Sequence, residues 1–223
     1  MAMGSITAQV ESVKQKIASG NAYGEKVWLI AATKTQSVEN INEAIAAGVD
    51  AVAENRVQEF REKTELLSPC PQHFIGHLQT NKVKYLVGKI ALFHSCDRDD
   101  LAEEIARLSL KKGVVSDVLI QINIGQEESK GGYTYEDGKA VFERLNRMSG
   151  LRVKGFMAML PETDDDDLLR GLMRKMRELY DWAKTKSSYV EYLSIGMSSD
   201  YALCVEEGSN MIRVGSTIFG HRQ

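Results

Sequence analysis

Val27-Trp28-Leu29-Ile30-Ala31-Ala32-Thr33 runs directly into Lys34-Thr35. It is a continuous apolar run of strand length, with no alternation of wet and dry positions. A strand apolar on both faces belongs to a parallel sheet covered by helices. The turn at its end matters equally. An open doubly wound sheet would carry Gly-x-Gly-x-x-Gly at this turn, and Ala31-Ala32-Thr33-Lys34-Thr35 stands there instead.

Working outward, the same kind of run recurs. Strands are predicted over Val27–Thr33, Ala51–Glu54, His73–Ile75, Leu92–Ser95, Asp117–Ile124, Arg152–Met159, Tyr192–Ile195 and Met211–Val214. Between them lie amphipathic stretches: Val38–Ala47, Val57–Leu67, Asn81–Val87, Asp100–Lys111, Tyr135–Arg147, Asp165–Lys184 and Tyr201–Glu207. Eight strands with seven intervening helices predict an α/β fold, a closed (β/α)8 TIM barrel. Ile6, Val10, Val13 and Ile17 line one face of an extra N-terminal helix over Ile6–Ser19. No linker, low-complexity tract or repeat divides the chain, so one domain is expected over residues 1–223. Met1–Ser5 is set aside as a start that takes no part in the fold.

The bulk composition excludes several functions. Of 223 residues, 43% are hydrophobic and 26% charged, with a net charge of −3, so neither nucleic acid nor an acidic membrane surface is favoured. No apolar run reaches membrane-spanning length, and no secretory signal opens the chain, so the expected location is cytoplasmic. Cys70, Cys96 and Cys204 are odd in number and widely spaced, as for reduced thiols. His73 and His77 have no evident third partner, so no metal site is expected. The acids Asp164–Asp167 precede Leu168, Leu169, Leu172, Met173, Met176 and Leu179 at helical spacing, which reads as a capped helix start.

In a parallel barrel, chemistry gathers where strands end. Two features stand out. Lys34 closes the first apolar run; a lysine losing water there becomes a better amine nucleophile, although it can equally snorkel to the rim. After the last two strands, Ser198, Ser199, Gly215, Ser216 and Thr217 offer hydroxyls and approachable amides where barrels often bind phosphate. An amine for an aldehyde and a cradle for a phosphate, on one rim, suggest pyridoxal 5′-phosphate (PLP).

Five motifs carry a resemblance. They are Ala32-Thr33-Lys34, Glu54-Asn55-Arg56-Val57-Gln58-Glu59, His73 through Lys82, Leu193 through Asp200, and Arg213 through Gly220. In this order, from about Val27 to Gly220, they resemble the YggS/PROSC family of PLP homeostasis proteins. The resemblance implies a fold-type III PLP barrel like the N-terminal domain of alanine racemase. It implies a role in the intracellular PLP pool and amino-acid and keto-acid balance. It makes Lys34 the imine lysine and puts Asn55 at the cofactor's hydroxyl side. Ser198, Gly215 and Ser216 match phosphate-loop positions, Met197 and Ser199 flank them, and Arg213 matches an arginine at the pyridine nitrogen. Lys130, in Glu128-Ser129-Lys130-Gly131-Gly132, matches a lysine linked to secondary PLP contact. His77 and Ser216 are mild departures, standing where proline and threonine are frequent.

An arginine at the ring nitrogen only donates, so the ring stays unprotonated and draws electrons weakly. Racemisation also needs a base on each face of the substrate carbon. In fold-type III racemases that second base is a tyrosine on a further C-terminal domain. This chain ends at Gln223, and only Tyr133 and Tyr201 lie near the rim loops. The expectation is therefore a PLP carrier with no catalytic residues, monomeric, with apo PLP-dependent enzymes as candidate partners. A racemase-like enzyme and a regulatory docking module are the alternatives.

Overall fold

The structure is a computed structural model that describes residues 5–220. The apolar runs form β1 (Trp28–Ala32), β2 (Ala51–Glu54), β3 (Gln72–Phe74), β4 (Leu92–Cys96), β5 (Ser116–Ile122), β6 (Leu151–Ala158), β7 (Tyr192–Ser194) and β8 (Met211–Val214). They pair in parallel in chain order, and β8 closes on β1 with Leu29 opposite Ile212 and Ile30 opposite Arg213. The expected closed (β/α)8 barrel is therefore the fold.

Around the strands run α1 (Ile6–Ile17), α2 (Val38–Ala46), α3 (Val57–Lys63), α4 (Asp99–Lys112), α5 (Gly138–Leu145), α6 (Asp166–Lys184), α7 (Tyr201–Glu206) and α8 (Ser216–Phe219). Alternation along β1 explains the layers. Leu29 and Ala31 pack outward with Val10, Val13 and Ile17 of α1 and with Ile41 and Ala44 of α2. Ile30 packs inward with Ala51, Ala53, Leu92, Leu119, Met157 and Met211, which fill the barrel. So α1 supplies an apolar stripe that covers β1.

The helix start at the acidic run is capped as expected: Asp165 Oδ1 accepts from the Leu168 amide at 2.9 Å, with Asp166 and Asp167 in the first turn. Ser5, expected to take no part in the fold, does take part: its hydroxyl accepts from the Ala8 amide and caps α1. Met1–Gly4 lie outside the described residues.

Three elements differ from the sequence reading. The segment between β3 and β4 is a 3-10 helix, Thr80–Tyr85, in which Val83 alone is buried. One buried side chain gives no i, i+4 stripe to hold an α-helix. Likewise α3 stops at Lys63 and tightens into a 3-10 turn, Thr64–Leu66, with no buried residue. And α8 stands where the sequence suggests only the tail of the last strand; four residues are too few to reveal a helical period. Among the described residues, no helix is long and apolar enough to cross a membrane, and the three cysteines are free.

Candidate functional site

At the C-terminal ends of the strands lies a cavity of about 370 Å³. Lys34, Asn55, Met197, Ser198, Ser199, Arg213, Gly215 and Ser216 all line it, and Ala32, Ile75, Met157, Met159 and Phe219 complete the wall. The residues singled out in the sequence thus converge from β1, β2, β7 and β8.

Burial stops one residue short of Lys34. Thr33 is 1% exposed, yet Lys34 is solvent-exposed on the cavity wall. The desolvation inferred from the apolar strand does not reach its side chain, because the strand ends at Ala32 and the chain turns out of the sheet. The turn bends sharply, with Thr35 at φ +65°.

Asn55 is fixed through its backbone. A Cβ added at Gly76 would lie 2.0 Å from the Asn55 carbonyl oxygen, so only glycine lets the end of β3 pass this close. The Asn55 side-chain Oδ1 is buried and has no hydrogen-bond partner among the described residues. An orphaned acceptor in a cavity wall costs free energy unless a donor arrives.

The two small-residue loops are tied together. Ser198 Oγ accepts from the amides of Gly215 and Thr217, each at 3.2 Å. Two converging N–H groups on one oxygen make a position suited to an acceptor. Asp200 steadies the same loop by accepting from the Met197 amide at 2.5 Å.

Arg213 is anchored most firmly. Its Nη1 donates to the Ser194 carbonyl at 2.6 Å and to Ser194 Oγ at 2.7 Å, and its Nη2 donates to the Ala158 carbonyl at 3.0 Å. Nε–H takes no partner among the described residues. Burial pulls its pKa down to about 10, with Asp200 and Cys204 opposing, so the guanidinium is still charged at neutral pH.

Behind Arg213 a polar chain crosses the barrel interior, which the sequence reading missed. His94 Nδ1 lies 3.1 Å from Ser194 Oγ, and His94 Nε2 lies 3.0 Å from His73 Nδ1. The arginine sets the direction of every proton. Because Arg213 only donates, Ser194 Oγ accepts from it and gives its own hydrogen to His94 Nδ1. His94 then carries its proton on Nε2 and donates to His73. Burial pulls the His73 pKa down to about 4, and burial, His73 and Arg213 together hold His94 well below the usual imidazole range. Both rings are neutral.

Lys130 stands apart from the cavity. Its ammonium pairs with Glu127 and donates to the Leu160 carbonyl at 3.1 Å. Asn123 sets this by holding the carbonyls of Glu127 and Lys130, each at 2.9 Å. Neither rim tyrosine lines the cavity. Tyr133 donates to Asp99 Oδ1 at 2.7 Å, and burial together with that bond raises its pKa. Tyr201 is buried in the apolar cluster with Val205 and Ile212. Among the described residues no group of three or more His, Cys, Asp or Glu could hold a metal ion.

Residues 3–223 match the family described as alanine racemase, N-terminal domain. The chain is 42% identical over 198 residues to the pyridoxal phosphate homeostasis protein of Aquifex aeolicus, covering 87% of each. It belongs to that family. Among solved structures, the family's fold recurs in a protein of unknown function from Bifidobacterium adolescentis, with a TM-score of 0.90 at 31% identity, covering 96% of this chain and 94% of that one. It recurs in PipY of Synechococcus elongatus PCC7942 with PLP bound, with a TM-score of 0.83 at 30% identity, covering 96% of this chain and 100% of that one.

Proposed function

We propose that this chain holds PLP in the cavity and serves PLP homeostasis as a carrier. PLP supplies an aldehyde that condenses with a primary amine, losing water, and a phosphorylated hydroxypyridine ring. The observation that carries the reading is the convergence of four complementary groups on one cavity. Lys34 offers the amine. The orphaned Asn55 Oδ1 wants a donor, which a ring hydroxyl provides. The Nε–H of Arg213 offers a donor to an unprotonated ring nitrogen. Ser198, Ser199 and Ser216 line the same end of the cavity and offer hydroxyl donors to a phosphate, Ser198 being held in place by the Gly215 and Thr217 amides. The PLP-bound PipY supports the same cofactor.

Two features favour a carrier over a racemase. No tyrosine, histidine, cysteine or carboxylate is among the described residues lining the cavity, so nothing faces Lys34 as a second base. The other lining cation is Arg213, whose Nη1 and Nη2 are taken by carbonyls and Ser194 Oγ, which leaves no evident anchor for a substrate carboxylate. On this reading the carrier is a monomer that meets apo PLP-dependent enzymes only transiently. Lys130 is outside the cavity wall, but its partner Leu160 follows the wall residue Met159 by one position, which supports a secondary contact with PLP during transfer.

The test is borohydride reduction of PLP-loaded protein followed by peptide mapping. Wild-type protein should carry the fixed cofactor on Lys34, and Lys34→Ala should lose the bound chromophore on dialysis. Retention of the same absorbance by Lys34→Ala would overturn the assignment. Incubation with L-alanine in heavy water should give deuterium at Cα far more slowly than ordinary turnover of about 1 s⁻¹ or faster. Exchange at that rate, lost in Lys34→Ala, would establish an enzyme instead.

A further inference from the structure

Behind the turn that carries Lys34 sits a cluster of buried charge that the cofactor reading leaves unused. Lys63, the last residue of α3, places its ammonium 3.0 Å from Glu54 Oε1 and 2.7 Å from Glu59 Oε2. Their side chains are only 13%, 6% and 15% exposed. Each carboxylate reaches one of the two residues flanking Lys34. Glu54 Oε1 accepts from Thr33 Oγ1 at 2.8 Å, and Glu59 Oε2 accepts from the Thr35 amide at 2.7 Å. Lys63 itself lies 3.4 Å from the Thr33 carbonyl.

Thr35 needs such a restraint. At φ +65° a β-branched residue is in the left-handed region that its side chain disfavours. A strained backbone persists only where its surroundings over-determine it, and such strain collects at functional sites. The Glu59 bond is the restraint on the Thr35 amide, and Lys63 holds Glu59 in place. Burial works against ionisation in Glu59, but its bonds to Lys63 and the Thr35 amide outweigh it and hold its pKa below the usual carboxylate value. Burial also pulls at Lys63, and the two carboxylates outweigh that too. In Glu54, burial prevails over Lys63 and Thr33 and leaves the pKa raised. Glu59 and Lys63 are therefore the firmly ionised pair.

We propose that Lys63, acting through Glu54 and Glu59, is a positioning residue that clamps Thr33 and Thr35 and so presents the Lys34 amine to the cavity. The proposal rests on the cofactor reading for what Lys34 does, but the clamp is a property of the chain alone. An i, i+4 pair that merely stabilises α3 would not affect the turn after β1.

The experiment uses the full chain before and after loading with PLP. In Lys63→Met, hydrogen exchange at the Thr35 amide should quicken by about tenfold or more while amides of β5 and β6 keep their protection. Borohydride should then fix on Lys34 a share of the total bound PLP reduced by about threefold or more, because PLP still enters the cavity but meets a misplaced amine. Lys63→Arg, which keeps the charge and the donors, should restore both. A folded Lys63→Met with wild-type Thr35 exchange and a wild-type fixed share overturns the proposal. Should Lys63→Met fail to fold, Glu59→Gln keeps an acceptor oxygen but removes the charge, and must move both readouts in the same direction; no change there overturns the proposal as well. If wild-type protein fixes no PLP on Lys34, the cofactor reading fails, and Thr35 exchange still decides the clamp.

Discussion

The Glu54–Lys63–Glu59 cluster and the His73–His94–Ser194–Arg213 chain each brace a residue on the same cavity, one from outside the barrel and one from within. The outer cluster uses full charges, partly reachable by water, with side chains 13%, 6% and 15% exposed for Lys63, Glu54 and Glu59. The inner chain runs through rings that are 7% and 0% exposed, and there burial keeps both histidines neutral. Its one charge, Arg213, is spread over two carbonyls and a hydroxyl. The difference follows from solvation. A charge in the barrel interior must find several fixed dipoles, while a charge under α3 can be neutralised by opposite charge and residual water.

The outer cluster depends on its one cation, Lys63. Lys63→Met leaves two carboxylates facing each other, and breaking a buried ion pair costs about 3–5 kcal/mol. Glu54 already holds its proton more tightly than usual, so it can take one up, and the loss should sit at the lower end of that range. Denaturant unfolding measures it. Lys63→Arg should recover most of the stability. If Lys63→Met costs less than about 1 kcal/mol, the cluster behaves as a surface pair and the contrast with the inner chain vanishes.

The inner chain should break more gently at its histidines, because both rings are neutral. His94→Leu strands the His73 Nδ1 acceptor and frees the Ser194 hydroxyl, a cost of roughly 1–3 kcal/mol for each buried group that finds no new partner. Replacing both partners removes the orphan, so a His73→Leu, His94→Leu double variant should be more stable than His94→Leu alone. A double variant that is the less stable of the two would mean the rings are held by packing, not by the chain of hydrogen bonds.

Acid separates the two regions without mutation. A histidine with a depressed folded pKa contributes stability that is fully present above its unfolded value and is lost as pH falls toward the folded one. For His73 that window runs from 6.5 down to about 4, with a limiting slope of about 1.4 kcal/mol per pH unit for one proton. His94 is depressed further, so its loss begins at the same upper edge and adds to that of His73. The Glu59 contribution has the same sign but a lower window, because its pKa lies below the usual 4.5. Wild-type stability should therefore begin to fall below about pH 6.5, and the His73→Leu, His94→Leu double variant should flatten the curve down to about pH 4. A double variant with an unchanged pH profile would assign the acid loss to carboxylates instead.

How these regions differ in the sequence explains what could be read there. The barrel was legible because most strands are largely continuous apolar runs, and the cavity residues were legible because strand ends in a parallel barrel share one face. The inner chain was not. His94 sits inside Leu92-Phe93-His94-Ser95-Cys96, and only the closed barrel shows that His94 and His73 face each other rather than the helices. The clamp was hidden for another reason. Glu59 and Lys63, four apart on a short helix, look like an ordinary solvent-facing pair. Their reach to Thr33 and Thr35 depends on how α3 lies on β1 and β2, which periodicity does not encode. The same blindness applies to Lys34, whose exposure depends on where the strand ends and the turn begins.

The strain at Thr35 can be removed by itself. Thr35→Gly removes the left-handed strain, a gain of about 1–2 kcal/mol for a residue at φ +65°. Glycine gives back roughly 0.5–1 kcal/mol through the freedom it adds to the unfolded chain. Alone, the substitution should therefore change stability by between about 0 and 1.5 kcal/mol, in the stabilising direction. Its value lies in combination. If Lys63 and Glu59 hold a strained turn, a glycine that adopts the turn without strain makes the clamp less necessary. Lys63→Met should then cost less in the Thr35→Gly background than in wild type, with a coupling of at least about 0.5 kcal/mol. The share of PLP fixed on Lys34 should recover in step. The inner chain offers the control: Thr35→Gly should leave the cost of His94→Leu unchanged, since the two residues share no hydrogen-bond partner among the described residues. Additivity of Thr35→Gly with Lys63→Met to within about 0.3 kcal/mol would detach the strain from the charge cluster, and Lys63 would then stabilise α3 without shaping the site of Lys34.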